Sequence, residues 1–441
     1  MTRLFKRLLF CLLLALLLLP ALQAKFTYFD EKPLGGLFIG SVHPELTWEA
    51  LLNNTYQSDL EKYLEDRLGF RPDLIRLRNQ LCFSLFRVPR SSGIVVGRHD
   101  MLYEALQIQS YAGHDRLDAA VVRFRVRRLR AVQRELARRG VQLLFVMAPN
   151  KARFQPEDLP TALQAAPGTV TNYDLYRQAM QADTVAVLNM VPLFAQWKKT
   201  KPYPLFSRAG THWSGYGATL AADTLLRQLE QMGGMHFPTV RTVGLPRLVR
   251  TTDSLRANDN DLAKPLNLFQ QAETIPVAYR RLAFDPPQPG QTRPPTLFVG
   301  DSFTWGLAQF SPYLLREFAD DTRIWYYGIN VHLPDSLITY TGAQCQNLDL
   351  KQQIESRRFI VLMVTEHNLI KQEFDFTNRV YRLYHPLTAA DNAAIDQIAQ
   401  KMTQQAIDKD GDAAWAEQAK DTNGYMTRIR KNAEEAYEMA K

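Results

Sequence analysis

With 441 residues and 46% hydrophobic content, the chain can bury one large core with smaller appendages, which excludes a disordered protein. A formal net charge of +8, of which Arg3, Lys6 and Arg7 supply three, leaves a mature part too mildly basic to be a nucleic-acid signature. Three cysteines and eight scattered histidines give neither a disulfide framework nor a metal-ligand spacing, so no metal and no cofactor is expected.

The amino end carries three basic residues, an apolar run from Leu8 to Leu19, and then Pro20 and "ALQA". This is a charged region, a short apolar stretch and a small-residue exit, read as a secretory signal over residues 1–24 or as a retained inner-membrane anchor. The setting it implies is the periplasm. Residues 25–90 form a lead-in whose part from 45 to 86 has helical apolar spacing, interrupted between Gly69 and Pro72. "SSGIVVG" and "MLYE" then read as short strands.

From 91 to 384 the pattern alternates between helical spacing and short, nearly continuous apolar runs. The runs are "VQLLFVMAP", "VAVLNMV", "PTLFVGD", "TRIWYYGIN" and "RFIVLMVTE", each resembling a strand buried on both faces. Helical segments expected near 118–139, 172–182, 214–233, 303–318 and 335–356 separate them. The architecture this predicts is an α/β fold with a doubly wound parallel sheet of about five strands. A polar, proline-rich stretch from Gly244 to Pro295 is too long for a simple connection and reads as a lid, binding loop or insertion. Residues 385–441 read as a helical tail. Within the first helix, "RFRVRRLRAVQRELARR" is a basic amphipathic run, a solvated face by default and otherwise a contact for acidic polysaccharide or anionic lipid.

Two stretches carry candidate chemistry. In "TLFVGDSFTWG" a buried strand ends at Val299, Gly300 and Asp301 form a turn, and Ser302 opens a helix. That lifts a hydroxyl off the carboxyl end of a parallel strand, with the helix N-terminus and the Ser302 N–H aimed at the same spot. Ser302 could equally be an N-cap. In "RAGTHWSGYGA", His212 precedes Ser214, a good N-cap, so the imidazole projects from a helix start whose dipole lowers its pKa. A neutral imidazole is the usual base for a serine nucleophile. Trp213 is either core packing or one wall of a sugar site.

The "GDSF" turn after a strand and the upstream "THW…YG" helix start resemble the alginate O-acetyltransferase family, a circularly permuted branch of the SGNH hydrolases. "LEKYLEDRLGFRPDLIRLRN", "GIVVGRHDMLYE", "LARRGVQLLFVMAPNKARFQPEDLP" and "NDNDLAKPLNL" are similar to the same family in the same order. The resemblance implies acetyl transfer to a cell-surface or secreted polysaccharide, with Ser302 as nucleophile and His212 as base. It also implies a membrane-bound O-acyltransferase as acetyl source. An acetylesterase using the same residues and a catalytically silent polysaccharide-binding or assembly protein are the alternatives.

In the family an acid stands two residues before the histidine, and this chain has Gly210 there. Glu366, at the end of a predicted strand in "VTEHN", is the first expected replacement, with Asp259 and Asp261 next; the other reading is a slower serine–histidine dyad in which a backbone carbonyl or water holds the second imidazole nitrogen. Gly328 and Asn330 in "YYGIN" are expected oxyanion donors by residue type. Asp301 belongs to the same candidate set through its place in the turn, and Asn150 and Lys151 in "APNKA" match a family motif and are given a substrate-facing role.

Overall fold

The computed structural model describes residues 3–36, 40–270, 274–410 and 424–441. Its centre is a seven-stranded sheet. In chain order the strands are β1 (Gln142–Ala148), β2 (Val187–Asn189), β3 (Thr296–Gly300), β4 (Arg323–Tyr326), β5 (Asn330–His332), β6 (Tyr340–Gln344) and β7 (Phe359–Thr365). Their spatial order is β6-β5-β4-β3-β7-β1-β2. The five from β4 to β2 are parallel, as the apolar runs predict, and β5 and β6 extend the sheet antiparallel.

The parallel strands are apolar through their middles, with polar residues such as Gln142, Asn189, Thr296, Arg323 and Thr365 only at their ends, because both faces are covered. Leu144, Val146, Phe298, Val361 and Met363 enter one core, under the helix Gly215–Gly233. Leu143, Phe145, Val299, Leu362 and Val364 enter the other, under the helix Ala119–Ala137. Alternation of adjacent residues between the two cores is the period of two that a strand imposes.

The sequence differs from this sheet in three places. The run "TRIWYYGIN" is not one strand, because Tyr327 and Gly328 take left-handed backbone (φ 50° and 68°) and turn the chain back into β5. Gly328 is required there twice over, since a Cβ would also lie 2.5 Å from the Phe374 carbonyl oxygen. The expected helix over 335–356 is instead a turn, the edge strand β6 and a 3₁₀ turn, Cys345–Asn347, and is α-helical only over Leu350–Glu355. The expected helix over 303–318 is a 3₁₀ turn, Ser302–Trp305, and two short pieces, Gly306–Gln309 and Tyr313–Glu317, separated at Pro312.

Before the sheet come a helix Arg3–Phe26, long and apolar enough to cross a membrane, three helices between Trp48 and Phe86, and an antiparallel pair, Ile94–Val96 with Leu102–Glu104. After it, helices Ala389–Asp410 and Tyr425–Ala440 pack on each other. The latter covers part of the basic run: Arg125 pairs with Glu435 and Arg128 with Glu438, both arginines being buried. Those two cations therefore hold the tail, while Arg123, Arg127 and Arg134 remain exposed.

Candidate active site

Strand β3 delivers the serine. Asp301 follows it in extended backbone, and its fully buried carboxylate accepts from the Phe303 N–H (3.1 Å), the Thr365 N–H (2.8 Å) and Asn368 Nδ2 (2.8 Å). The turn is thus stapled to the end of β7. A carboxylate so occupied accepts and does not donate, so Asp301 buttresses the turn and is no oxyanion donor.

The histidine is delivered by the opposite segment. Ser214 caps the helix Gly215–Gly233 through the Gly217 N–H (3.1 Å) and donates its hydroxyl to the Pro204 carbonyl (2.7 Å). His212 stands just before this cap, buried, with its ring 4.8 Å from that of Phe303. Its Nε2 lies 2.6 Å from Ser302 Oγ, and its Nδ1 lies 2.5 Å from Asp261 Oδ2. Serine, imidazole and carboxylate in series are the arrangement that turns a hydroxyl into a nucleophile. Burial alone would lower the imidazole pKa, but the Asp261 charge and hydrogen bond outweigh it, with Asp301 and Glu104 adding, and the pKa stands above its ordinary value. The expected lowering by the helix dipole is overruled by the carboxylate.

Asp261 comes from the long polar stretch, which is docked on the histidine segment by a continuous set of bonds. Asp261 Oδ1 accepts from the Thr211 N–H (2.8 Å), and the Leu262 and Ala263 N–H groups (3.0 and 2.9 Å) donate to the Ala209 carbonyl. Ser207 Oγ donates to the Asp259 carbonyl (2.7 Å). Gly210 lies under this docked loop. A Cβ there would sit 2.4 Å from the Asn258 carbonyl oxygen, so the absence of a side chain is what lets the loop approach. Asp259 is fully buried one turn away, where it accepts from Tyr279 Oη (2.8 Å) and the Gly215 N–H (3.1 Å). Burial pushes its carboxyl up to about 7 against those two bonds, and it holds the helix start without touching His212 Nδ1.

Glu366, the first expected replacement acid, is engaged elsewhere. Its fully buried carboxylate is bound by Arg153 Nε and by the Asn150 N–H (3.0 Å), and it braces the end of β7 against β1. Lys151 is not substrate-facing either. Its ammonium is enclosed and donates to the carbonyls of Leu102 (2.7 Å), Ser207 (2.7 Å) and Gly210 (2.6 Å), with burial pushing its pKa down to about 7. Asn150 is buried, its amide donating to the Gln107 carbonyl (2.8 Å). Trp213 has no exposed surface, packing against Phe194 and Phe303, so it is core and no sugar wall. Gly328 faces Phe374, and Asn330 is paired in β5, so neither lines the cleft around Ser302.

That cleft measures about 360 Å³ and is rimmed by Ser91–Ile94, Glu104, Thr211, Pro265, Tyr327 and His367 around Ser302, His212 and Asp261. Tyr327 and His367 escaped the sequence reading, although each stands beside a residue it singled out. Tyr327 lines this cleft beside Ser302, and its phenol pKa is raised by burial and by the Asp301 charge, so the hydroxyl keeps its proton and can donate. Among the described residues no group of three or more His, Cys, Asp or Glu is placed to hold a metal ion.

Residues 94–325, which contain Ser302, His212 and Asp261, match the family described as "SGNH hydrolase-like domain, acetyltransferase AlgX". A probable alginate O-acetylase AlgJ of Pseudomonas aeruginosa is 27% identical over 191 residues, 43% of this chain and 46% of that protein. The corresponding protein of Azotobacter vinelandii is 25% identical over 298 residues, 62% of this chain and 72% of that protein. Thus the chain spans under half of the first relative's length. Among solved structures, the O-acetyltransferase domain of Pseudomonas putida AlgJ aligns with 65% of this chain and 99% of that domain at 18% identity and a TM-score of 0.43. Pseudomonas aeruginosa AlgX aligns with 63% of this chain and 67% of its own at 16% identity and a TM-score of 0.39.

Proposed function

Because this chain belongs to the family of SGNH hydrolase-like acetyltransferase domains of the AlgX type, we propose that it transfers acetyl groups to the hydroxyls of a polysaccharide in the periplasm. The observation that carries the reading is the unbroken relay from Ser302 Oγ through His212 to Asp261.

His212 Nε2 takes the Ser302 proton as Oγ attacks the acetyl carbonyl carbon of the donor, and Asp261 holds the Nδ1–H and stabilises the imidazolium. The tetrahedral oxyanion is received by the Ser302 N–H, its two successors in the turn being already committed to Asp301, and by the Tyr327 hydroxyl. The imidazolium returns its proton to the leaving group as the donor's acyl bond breaks, leaving an acetyl ester on Ser302. A sugar hydroxyl then gives its proton to His212 and attacks that ester, and the reverse sequence frees Ser302 Oγ with the proton restored. The proposal includes a polysaccharide acceptor, no nucleic acid, and a membrane-bound O-acyltransferase that supplies the acetyl group. Arg3–Phe26 supports a signal or an inner-membrane anchor.

The test offers the chain an activated aryl acetate with and without an acidic oligosaccharide, and follows phenol release together with acetyl on the sugar. Transfer to sugar that exceeds release of free acetate is expected, and release alone would make the chain an esterase. Ser302→Ala should abolish both at unchanged melting temperature. Wild-type rates in Ser302→Ala would remove the serine from the mechanism.

A further inference from the structure

The helix Arg71–Phe86 is mounted with its polar side inward. Arg76 donates to the carbonyls of Lys32 (2.7 Å) and Pro33 (2.8 Å), Asn79 donates to the Leu266 carbonyl (2.9 Å), and Phe83 joins the core. On the opposite side Leu74, Leu77, Leu81 and Leu85 recur every three or four residues, between 49% and 68% exposed. Leu64 and Leu68, just before the helix, are exposed as well, and so is Phe86 at its end. An apolar stripe of about 17 Å on an otherwise polar helix surface marks a place where something docks.

The same region says what docks there. The membrane-length helix Arg3–Phe26 ends against the turn that starts the striped helix, where a Cβ on Gly69 would lie 2.4 Å from the Pro20 carbonyl oxygen. The two are fastened: the Phe70 N–H donates to Glu31 (2.8 Å), Gln23 donates to the Phe29 carbonyl (2.7 Å), and the Phe29 and Phe70 rings lie 5.8 Å apart. Phe26, Tyr28 and Phe29 are exposed at this junction, a cluster of the kind that sits at headgroup level where a helix leaves a bilayer. Between positions 67 and 90 the chain has six arginines and one acid, and apart from the buried Arg76 the arginines reach the surface, which favours an anionic lipid surface.

We propose that the Leu74–Leu77–Leu81–Leu85 face rests in the headgroup boundary of the membrane that Arg3–Phe26 enters. This rests on that helix being retained as an anchor. Since Ser91–Ile94 line the cleft a few residues beyond Phe86, the docking holds the mouth of the Ser302 site close to the membrane surface.

The test uses the full chain with Cys11→Ser and Cys82→Ser, reconstituted in vesicles of phosphatidylethanolamine and phosphatidylglycerol. One nitroxide is placed at Leu77→Cys, Leu81→Cys or Leu85→Cys, at Leu13→Cys within the anchor, or at Arg227→Cys as a surface reference. Aryl acetate turnover verifies that each labelled chain is folded. Collision with oxygen, which concentrates in lipid, should exceed collision with a water-soluble nickel chelate at the three stripe positions and at Leu13, with the ratio reversed at Arg227. Chelate preference along the stripe with oxygen preference at Leu13 overturns the proposal and leaves the anchor standing. Chelate preference at Leu13 overturns the anchor and the proposal with it. Stripe labels open to the chelate in lipid vesicles but shielded from both reagents in native membranes would assign the face to a protein partner instead.

Discussion

Asp261→Asn separates the roles of the two candidate acids. The asparagine can keep its oxygen on the Thr211 N–H, where Asp261 Oδ1 now accepts at 2.8 Å, so the loop stays docked. What changes is the atom facing His212 Nδ1: an amide donor there forces the tautomer with Nε2 protonated, which can no longer take the Ser302 proton. Loss of the orienting carboxylate in triad hydrolases costs on the order of 10⁴ in turnover, about 5 kcal/mol of transition-state stabilisation, and the same is expected here. The pH profile gives a second handle. Wild-type kcat/KM should rise with pH through a value above the ordinary imidazole range, because the base must be neutral and Asp261 raises its pKa. The same shift contributes stability that is fully present below about pH 6.5 and is lost as pH rises through the folded value, so the variant's melting deficit should be larger in acid than in alkali. The assay is aryl acetate turnover across pH alongside thermal melting. An Asp261→Asn chain that keeps its turnover within tenfold of wild type at unchanged pH dependence would refute the assignment.

Glu366→Gln should behave oppositely, with near-normal turnover and a lowered melting temperature, because it weakens a buried charge-assisted bond to Arg153 worth about 1.5–3 kcal/mol; a 10³-fold loss of kcat would return Glu366 to the relay. Gly210→Asp, which restores the acid the resemblance leads one to expect, should not raise the rate. Its Cβ must displace the Asn258 carbonyl at 2.4 Å, and about 1–3 kcal/mol of stability should be lost in a denaturant titration, together with activity. Trp213→Ala should cost about 3–5 kcal/mol of stability by leaving a cavity between Phe194 and Phe303, and a change confined to KM for the sugar acceptor would show that the indole contacts substrate after all.

The local signals in this chain were strong where one physical requirement fixes residue type at a single position. Apolar runs reveal strands buried on both faces, and the "VGDSF" and "THWSGYG" stretches reveal where a hydroxyl and an imidazole leave the scaffold, because strand ends and helix caps are written in neighbouring residues. Strand β6 is exposed at every position but Ala343 and carries no apolar alternation, so nothing local marks it as part of a sheet. The division of β4 from β5 depends on a tyrosine held at positive φ, which the tyrosine itself does not ask for. Which carboxylate meets His212 was undecidable from composition or period: Asp261 lies 49 positions away, and Glu366 and Asp259 offer the same functional group. The choice was made by the docking of one loop over Gly210, by Arg153 taking Glu366, and by Tyr279 and Gly215 taking Asp259. Sequence alone determined that Ser302 leaves the end of a buried strand and His212 the start of a capped helix, because each is set by its neighbouring residues. Only the tertiary structure decided which groups touch, because a hydrogen bond of 2.5 Å between distant residues depends on how whole loops and helices pack.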